Sequence, residues 1–162
     1  MPDAAAYTIA EEDPRSEDSQ VLIDELNTVL RIAYTPEQNH FVDGEKLVAR
    51  GACFLVARDG DGPLGCGAAA PIEGTASAEI KRMWTRPRGR RRGVARAILE
   101  RLESWSRARG HDRLMLETGI HQSEARALYT ALGFVPRGPF GEYPLDEASL
   151  FFEKSLTDTV RT

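Results

Sequence analysis

The sequence predicts a mixed α/β (α+β) domain, a twisted and mostly antiparallel sheet of about six or seven strands flanked by about four helices. Three observations carry this. Segments with strand-like and helix-like apolar spacing follow one another in the order βααβββαβαββ. Strand-like runs between Gly51 and Thr85 succeed each other through short Gly/Asp/Pro turns, the signature of an antiparallel meander. A strand, a helix and another strand then follow from Ala76 to Thr118, which suits a parallel βαβ crossover.

Each element has its own local reason. Tyr7 to Ala10 is a short strand candidate, and Asp13 followed by Pro14 supplies a helix cap and a favourable first-turn residue. The helix that follows places Leu22, Leu26, Val29, Leu30 and Ala33 on one face and ends before Pro36. The polar stretch after it holds a short helix around Glu45 to Arg50. "ASAEIKRMWT" is a strand stopped by Pro87, and the next helix carries Ala95, Ile98, Leu99, Leu102 and Trp105 on one face before Gly110 closes it. "RLMLET" is a strand. A helix from about Glu124 to Leu132 has Ser123 as N-cap and Gly133 just past its end, with Ala125, Leu128, Tyr129 and Leu132 on its apolar face. "FVPR" and "SLFFEK" complete the sheet. Residues 1–157 are expected to form one domain, with 158–162 a frayed tail.

Composition narrows the function classes. At 162 residues and 41% hydrophobic content, one core can form and bury roughly two-thirds of the unfolded surface. A net charge of −4 argues against a general nucleic-acid binder, so any anion must be met by a local basic patch. Cys53 and Cys66 lie in apolar strand-like runs, which suits buried free thiols in a reducing compartment better than a disulfide. No apolar run approaches the ~18 residues of a membrane span, and the N-terminal stretch lacks the pattern of a signal peptide. A cytoplasmic protein, with no membrane and no metal, is the expectation.

That local patch is "TRPRGRRRGVARAIL", which places six arginines between Arg86 and Arg96 at the start of a helix that directly follows a strand. A solvated basic helix start leaves Gly93 and the position after a strand unexplained. A nucleic-acid patch would want interleaved aromatics. A phosphate site accounts for all of it: a helix N-terminus offers unpaired N–H groups and the positive end of its dipole, and a glycine lets an anion come close. The Walker and dinucleotide glycine patterns do not fit. Arg90-Arg91-Arg92-Gly93-Val94-Ala95 reads as R-x-x-G-x-A, and this resembles the pyrophosphate-binding signature of the GNAT superfamily of N-acetyltransferases, which use acetyl-CoA. The resemblance extends from about Ala78 to Lys154: "AEIKRMWTRP" is similar to the family's fourth strand, "RLMLETG" to its fifth, and "ARALYTALGF" to the segment carrying the tyrosine near the CoA sulfur. Two positions depart from it. Arg91 stands where the family often has Gly, and Gln122 where it often has Asn.

The resemblance implies acetyl transfer from acetyl-CoA to a primary amine of a small acceptor by direct attack in a ternary complex. It implies cofactor binding by Arg90, Arg91, Arg92, Gly93, Val94, Ala95, Arg96 and Gln122, and by the free backbone of Met83, Trp84 and Thr85, with the Met83 N–H as oxyanion donor. Tyr129, protonated at neutral pH, is the acid for the departing thiolate, with a core aromatic as the plainer reading. Glu79 is the candidate base by its strand position; Glu117, Glu142, His121 and water remain alternatives. The loop holding Glu142 and Tyr143 and the segment from Tyr34 to His40 are expected to wall the acceptor site, with Glu117 nearby. A non-catalytic acyl-CoA sensor is the rival class, which the presence of Tyr129 disfavours. A homodimer is common among such proteins, and the oligomeric state stays open.

Overall fold

The computed structural model describes residues 6–157, and the expected tail lies outside them. In chain order the elements are β1 (Thr8–Glu11), α1 (Glu17–Ala33), α2 (Gly44–Ala49), β2 (Cys53–Asp59), β3 (Gly62–Pro71), β4 (Ser77–Thr85), α3 (Val94–Ala108), β5 (Arg113–Gly119), α4 (Ser123–Ala131), β6 (Val135–Arg137) and β7 (Ser149–Ser155). Short 3₁₀ turns at Pro36–Gln38 and Pro87–Gly89 precede α2 and α3. The strands form one sheet in the order β1-β2-β3-β4-β5-β7-β6. Every pairing is antiparallel except β4 with β5, the two strands that α3 connects.

Both faces of the sheet are covered, which is why Cys53 to Ala57 of β2 reads as unbroken apolar sequence and is buried throughout. On one face α3 packs Val94, Ile98, Leu99 and Leu102 against Leu55, Leu64, Ile80, Leu114 and Leu116. Leu22 and Ile23 of α1 and Leu47 of α2 cover Phe54, Val56 and Ala68 on the other. Cys53 and Cys66 are buried free thiols, and burial pushes each pKa up to about 12.

Two capping expectations are corrected. Asp13 does not cap α1: its carboxylate accepts from the Arg15 N–H at 2.8 Å within a turn, and Ser16 caps the helix by accepting from the Ser19 N–H at 3.3 Å. Gln122, not Ser123, occupies the N-cap of α4, with no side-chain cap bond. The buried face of α1 also differs, running through Ser19, Leu22, Ile23, Leu26 and Asn27, while Val29 and Leu30 turn to a cavity. The end of α4 is as expected: Gly133 N–H donates to Thr130 O and Phe134 N–H to Tyr129 O, a Schellman closure that seats the Phe134 ring 5.7 Å from Tyr129.

Candidate active site

The parallel pairing of β4 with β5 is short. Ser77–Ile80 pair with Arg113–Leu116, and there the register ends. Beyond it the strands separate into two arms, Lys81–Thr85 and Glu117–Gly119, and both arms line a cavity of about 980 Å³. On the far side of β4 the ladder to β3 is irregular as well: Cys66 pairs with Trp84 and Ala68 with Lys81, so Arg82 and Met83 have no partner of their own in that register. Arg82 takes φ 58°, the bulge conformation that breaks the pairing. Met83 is therefore the strand residue that the bulge frees toward the cavity wall.

The start of α3 forms another wall. The helix ladder begins with Ala97 N–H to Gly93 O at 2.9 Å, so the N–H groups of Val94, Ala95 and Arg96 precede it and lie at the positive end of the helix dipole. Gly93 has φ 77°, and a Cβ built there meets no protein atom nearer than Tyr7 Oη at 3.9 Å. A side chain would thus fill open space in front of those amides, as a cradle for a phosphate requires. Arg91 also takes a left-handed φ, 63°, which gives the family's frequent glycine at this position a physical reason.

The six arginines divide. Arg90, Arg91 and Arg96 line the cavity together with Gly93, Val94 and Ala95. Arg92 is not on that wall: its guanidinium is 2.9 Å from Asp59 and faces the Tyr7 ring. Arg88 shares Asp59 at 2.9 Å, and Arg86 holds Glu25 at 2.8 Å, fixing a carboxylate that also accepts from Trp84 Nε1. These pairs tie the loop to β2 and α1. Half of the basic stretch is scaffold, a division that spacing along the chain does not reveal.

The end of α1 closes the cavity opposite β4. Tyr34 donates from its hydroxyl to Gln122 Oε1 at 2.5 Å and accepts from the His121 N–H at 2.9 Å. The hydroxyl reaches this position only because residue 119 is glycine, since a Cβ there would lie 1.8 Å from Tyr34 Oη. Gln38, Asn39 and His40, from the segment expected to wall the acceptor site, line the same cavity.

Tyr129 is on the wall, and its ring packs at 5.7 Å from Phe134 and 6.5 Å from Phe152. Burial first, and the Glu117 charge second, raise its hydroxyl above the ordinary tyrosine pKa, so it stays protonated. Glu79 is not on the wall. It is 4% exposed and bound by Arg50 at 3.1 Å, by Lys81 at 3.2 Å and by the Tyr143 hydroxyl. A carboxylate so engaged anchors Lys81 and Tyr143, and these two do line the cavity. Glu117 lines it too, half-buried, accepting from Ser149 Oγ at 2.7 Å. Glu142 is exposed and lies off the wall, whereas His121 is on it, 5.2 Å from the Tyr34 ring. Lys81 and Arg82, cations inside a strand, went unremarked in the sequence; two adjacent basic residues after an apolar one were the available signal.

Among the described residues no helix is long and apolar enough to cross a membrane. The model of the Acetyltransferase (GNAT) family matches residues 11–134. The chain is 43% identical over 149 residues to the IAA acetyltransferase of Azospirillum brasilense, covering 92% of this chain and 97% of that protein. A Klebsiella pneumoniae structure described as an acyl-CoA N-acyltransferase is similar at TM-score 0.80 and 32% identity, covering 94% of this chain and 99% of that one. Salmonella typhimurium yncA, solved with its cofactor acetyl-CoA, shares the fold at TM-score 0.70 and 17% identity, with 96% and 97% of the two chains covered. Residues 11–134 span both cavity arms, the α3 start and Tyr129, so this chain belongs to the GNAT family of acetyltransferases and is an acyl-CoA-dependent N-acetyltransferase.

Proposed function

We propose that this enzyme moves an acetyl group from acetyl-CoA to the primary amine of a small acceptor, by direct attack in a ternary complex. One observation carries the reading: a strand splayed at a bulge and a glycine-opened helix start share one cavity with a buried, protonated tyrosine. Acetyl-CoA supplies an activated thioester carbonyl. The N–H groups of Val94, Ala95 and Arg96, with Arg90 and Arg91 beside them, fit its pyrophosphate; Met83, Trp84 and Thr85 offer strand backbone to its extended arm; Gln122 stands at the cavity's other edge.

Attack by the amine nitrogen forms a C–N bond and breaks the C–S bond. The Met83 N–H is the donor to the developing oxyanion, and Tyr129 supplies the proton to the departing thiolate. The amine's proton goes to Glu117 directly or through water, a role the engagement of Glu79 with Arg50 and Lys81 leaves to it. Residues 1–157 act as one unit, and the buried free thiols suit a cytoplasmic setting. The test is release of CoA thiol from acetyl-CoA across amines, amino acids, polyamines, aminoglycosides, peptides and IAA, the compound named for the Azospirillum relative. Binding of acetyl-CoA without thiol release across that panel would favour an acyl-CoA sensor instead.

A further inference from the structure

The floor of the cavity carries a charge imbalance. Arg82 is 7% exposed, and among the described residues no carboxylate lies within ion-pair distance of it. Its guanidinium donates to the neutral Asn27 Oδ1, its Cζ lies 5.6 Å from the centroid of the Phe41 ring, and its buried Nε has no hydrogen-bond partner. The neighbours that act on it electrostatically are Cys66, Tyr143 and Glu117; burial keeps the first two neutral at pH 7. Beside it, Lys81 and Arg50 share the single carboxylate of Glu79. Three cations are thus set against one buried anion.

Glu117 is the complementary case. Its carboxylate accepts from Ser149 Oγ at 2.7 Å and has no Lys, Arg or His within ion-pair distance among the described residues. Its charge acts on Tyr34, Tyr129, Tyr143 and Arg82, which places it amid the cavity's ionisable groups. Arg82 and Glu117 line the same cavity without pairing with each other. A buried unpaired guanidinium is costly, and a guest that brings it a carboxylate while turning an amine to the half-buried Glu117 complements both groups.

Resting on the assignment of this cavity to acetyl transfer, we propose that the acceptor is an amino carboxylate, its carboxylate held by Arg82 and its amine facing Glu117. Arg82 lines the cavity and its guanidinium donates only to a neutral amide, so a guest carboxylate there can supply the charge-assisted partner it lacks. Arg82 is then a specificity residue that holds the acceptor rather than a participant in proton transfer.

The experiment compares L-amino acids of varied side chain with their primary amides and their decarboxylated amines, by CoA thiol release at saturating acetyl-CoA. The best amino acid is expected to exceed its own amide and amine by about tenfold or more in kcat/KM, chiefly through KM. Arg82→Met is expected to bring the acid-to-amide ratio to within about threefold of one, and Arg82→Lys to restore part of it. If Arg82→Met does not fold, the acid-to-amide comparison on the unaltered enzyme decides alone. Amides or decarboxylated amines used as well as the acids, or no amino acid acetylated although acetyl-CoA binds, overturns this assignment and leaves acetyl transfer standing. Failure of acetyl-CoA to bind, followed by calorimetry on the same preparation, overturns acetyl transfer and the acceptor class with it.

Discussion

Replacing Gly93 with Ala separates backbone geometry from charge in the helix-start site. A Cβ at φ 77° costs ~1–2 kcal/mol, and the reduced entropy of the unfolded chain returns ~0.5–1 kcal/mol. The nearest protein atom to that Cβ is 3.9 Å away, so no clash adds to the cost. The variant should fold, with about 1 kcal/mol less stability and a thermal midpoint ~2–4 °C lower. Ligand binding should suffer more. The methyl stands in the open space before the Val94, Ala95 and Arg96 amides, and CoA affinity should fall by about tenfold or more, roughly 1.4 kcal/mol. Arg90, Arg91 and Arg96 are exposed, so truncating any one to Ala should cost ~0.2–1 kcal/mol, about fivefold at most. Calorimetric titration of CoA into the four variants, with thermal denaturation of each, supplies both readouts. A single arginine variant binding more weakly than Gly93→Ala would return the stretch to simple charge attraction.

Arg91→Gly should raise the thermal midpoint by ~1–3 °C, because relief of the strain at φ 63° outweighs the flexibility a glycine adds, while CoA affinity falls a few-fold; a lower midpoint would contradict the strain. Tyr129→Phe should cut kcat by about 10² with CoA binding retained, and full turnover would exclude its acid role. Glu79→Gln leaves Arg50 and Lys81 without their carboxylate and should cost ~3 kcal/mol in urea denaturation, whereas Glu117→Gln should spare stability and cut kcat/KM by about 10²-fold; the reverse pattern would make Glu79 the base. Hydrogen bonding from Arg86 holds the Glu25 carboxyl below the usual range against the opposing effect of burial. A depressed carboxyl contributes stability that is complete above its unfolded pKa, about 4.3, and is lost as pH falls through the folded value. The thermal midpoint should be flat above pH ~5 and fall below pH ~4, and Glu25→Gln should make that fall shallower.

The elements that local chemistry specifies were legible in the sequence. The order of strands and helices, the Gly133 closure and the parallel crossover follow from apolar spacing and terminators, and the structure has them. Caps were less secure. Asp13 and Ser16 are both cap-forming residue types three positions apart, and the structure engages the Asp13 carboxylate with Arg15 and leaves the cap to Ser16. Gly93 and the Arg90–Arg96 stretch pointed to an anion site, but spacing does not distinguish Arg91 from Arg92. Long-range pairing does, because Asp59, distant in sequence, takes Arg88 and Arg92. The engagement of Glu79 was hidden in the same way, since Arg50 and Tyr143 come from segments far along the chain. Asn27 on α1 and the bulge that buries Arg82 are likewise tertiary facts.

Release of free CoA thiol from acetyl-CoA, measured alongside calorimetric binding and across the amine and amino-acid panel, decides whether this protein transfers acetyl groups to amines. Acetyl-CoA should bind, and at least one amine should drive thiol release with the matching N-acetyl product seen by mass spectrometry. A protein that neither binds nor consumes acetyl-CoA would contradict the account.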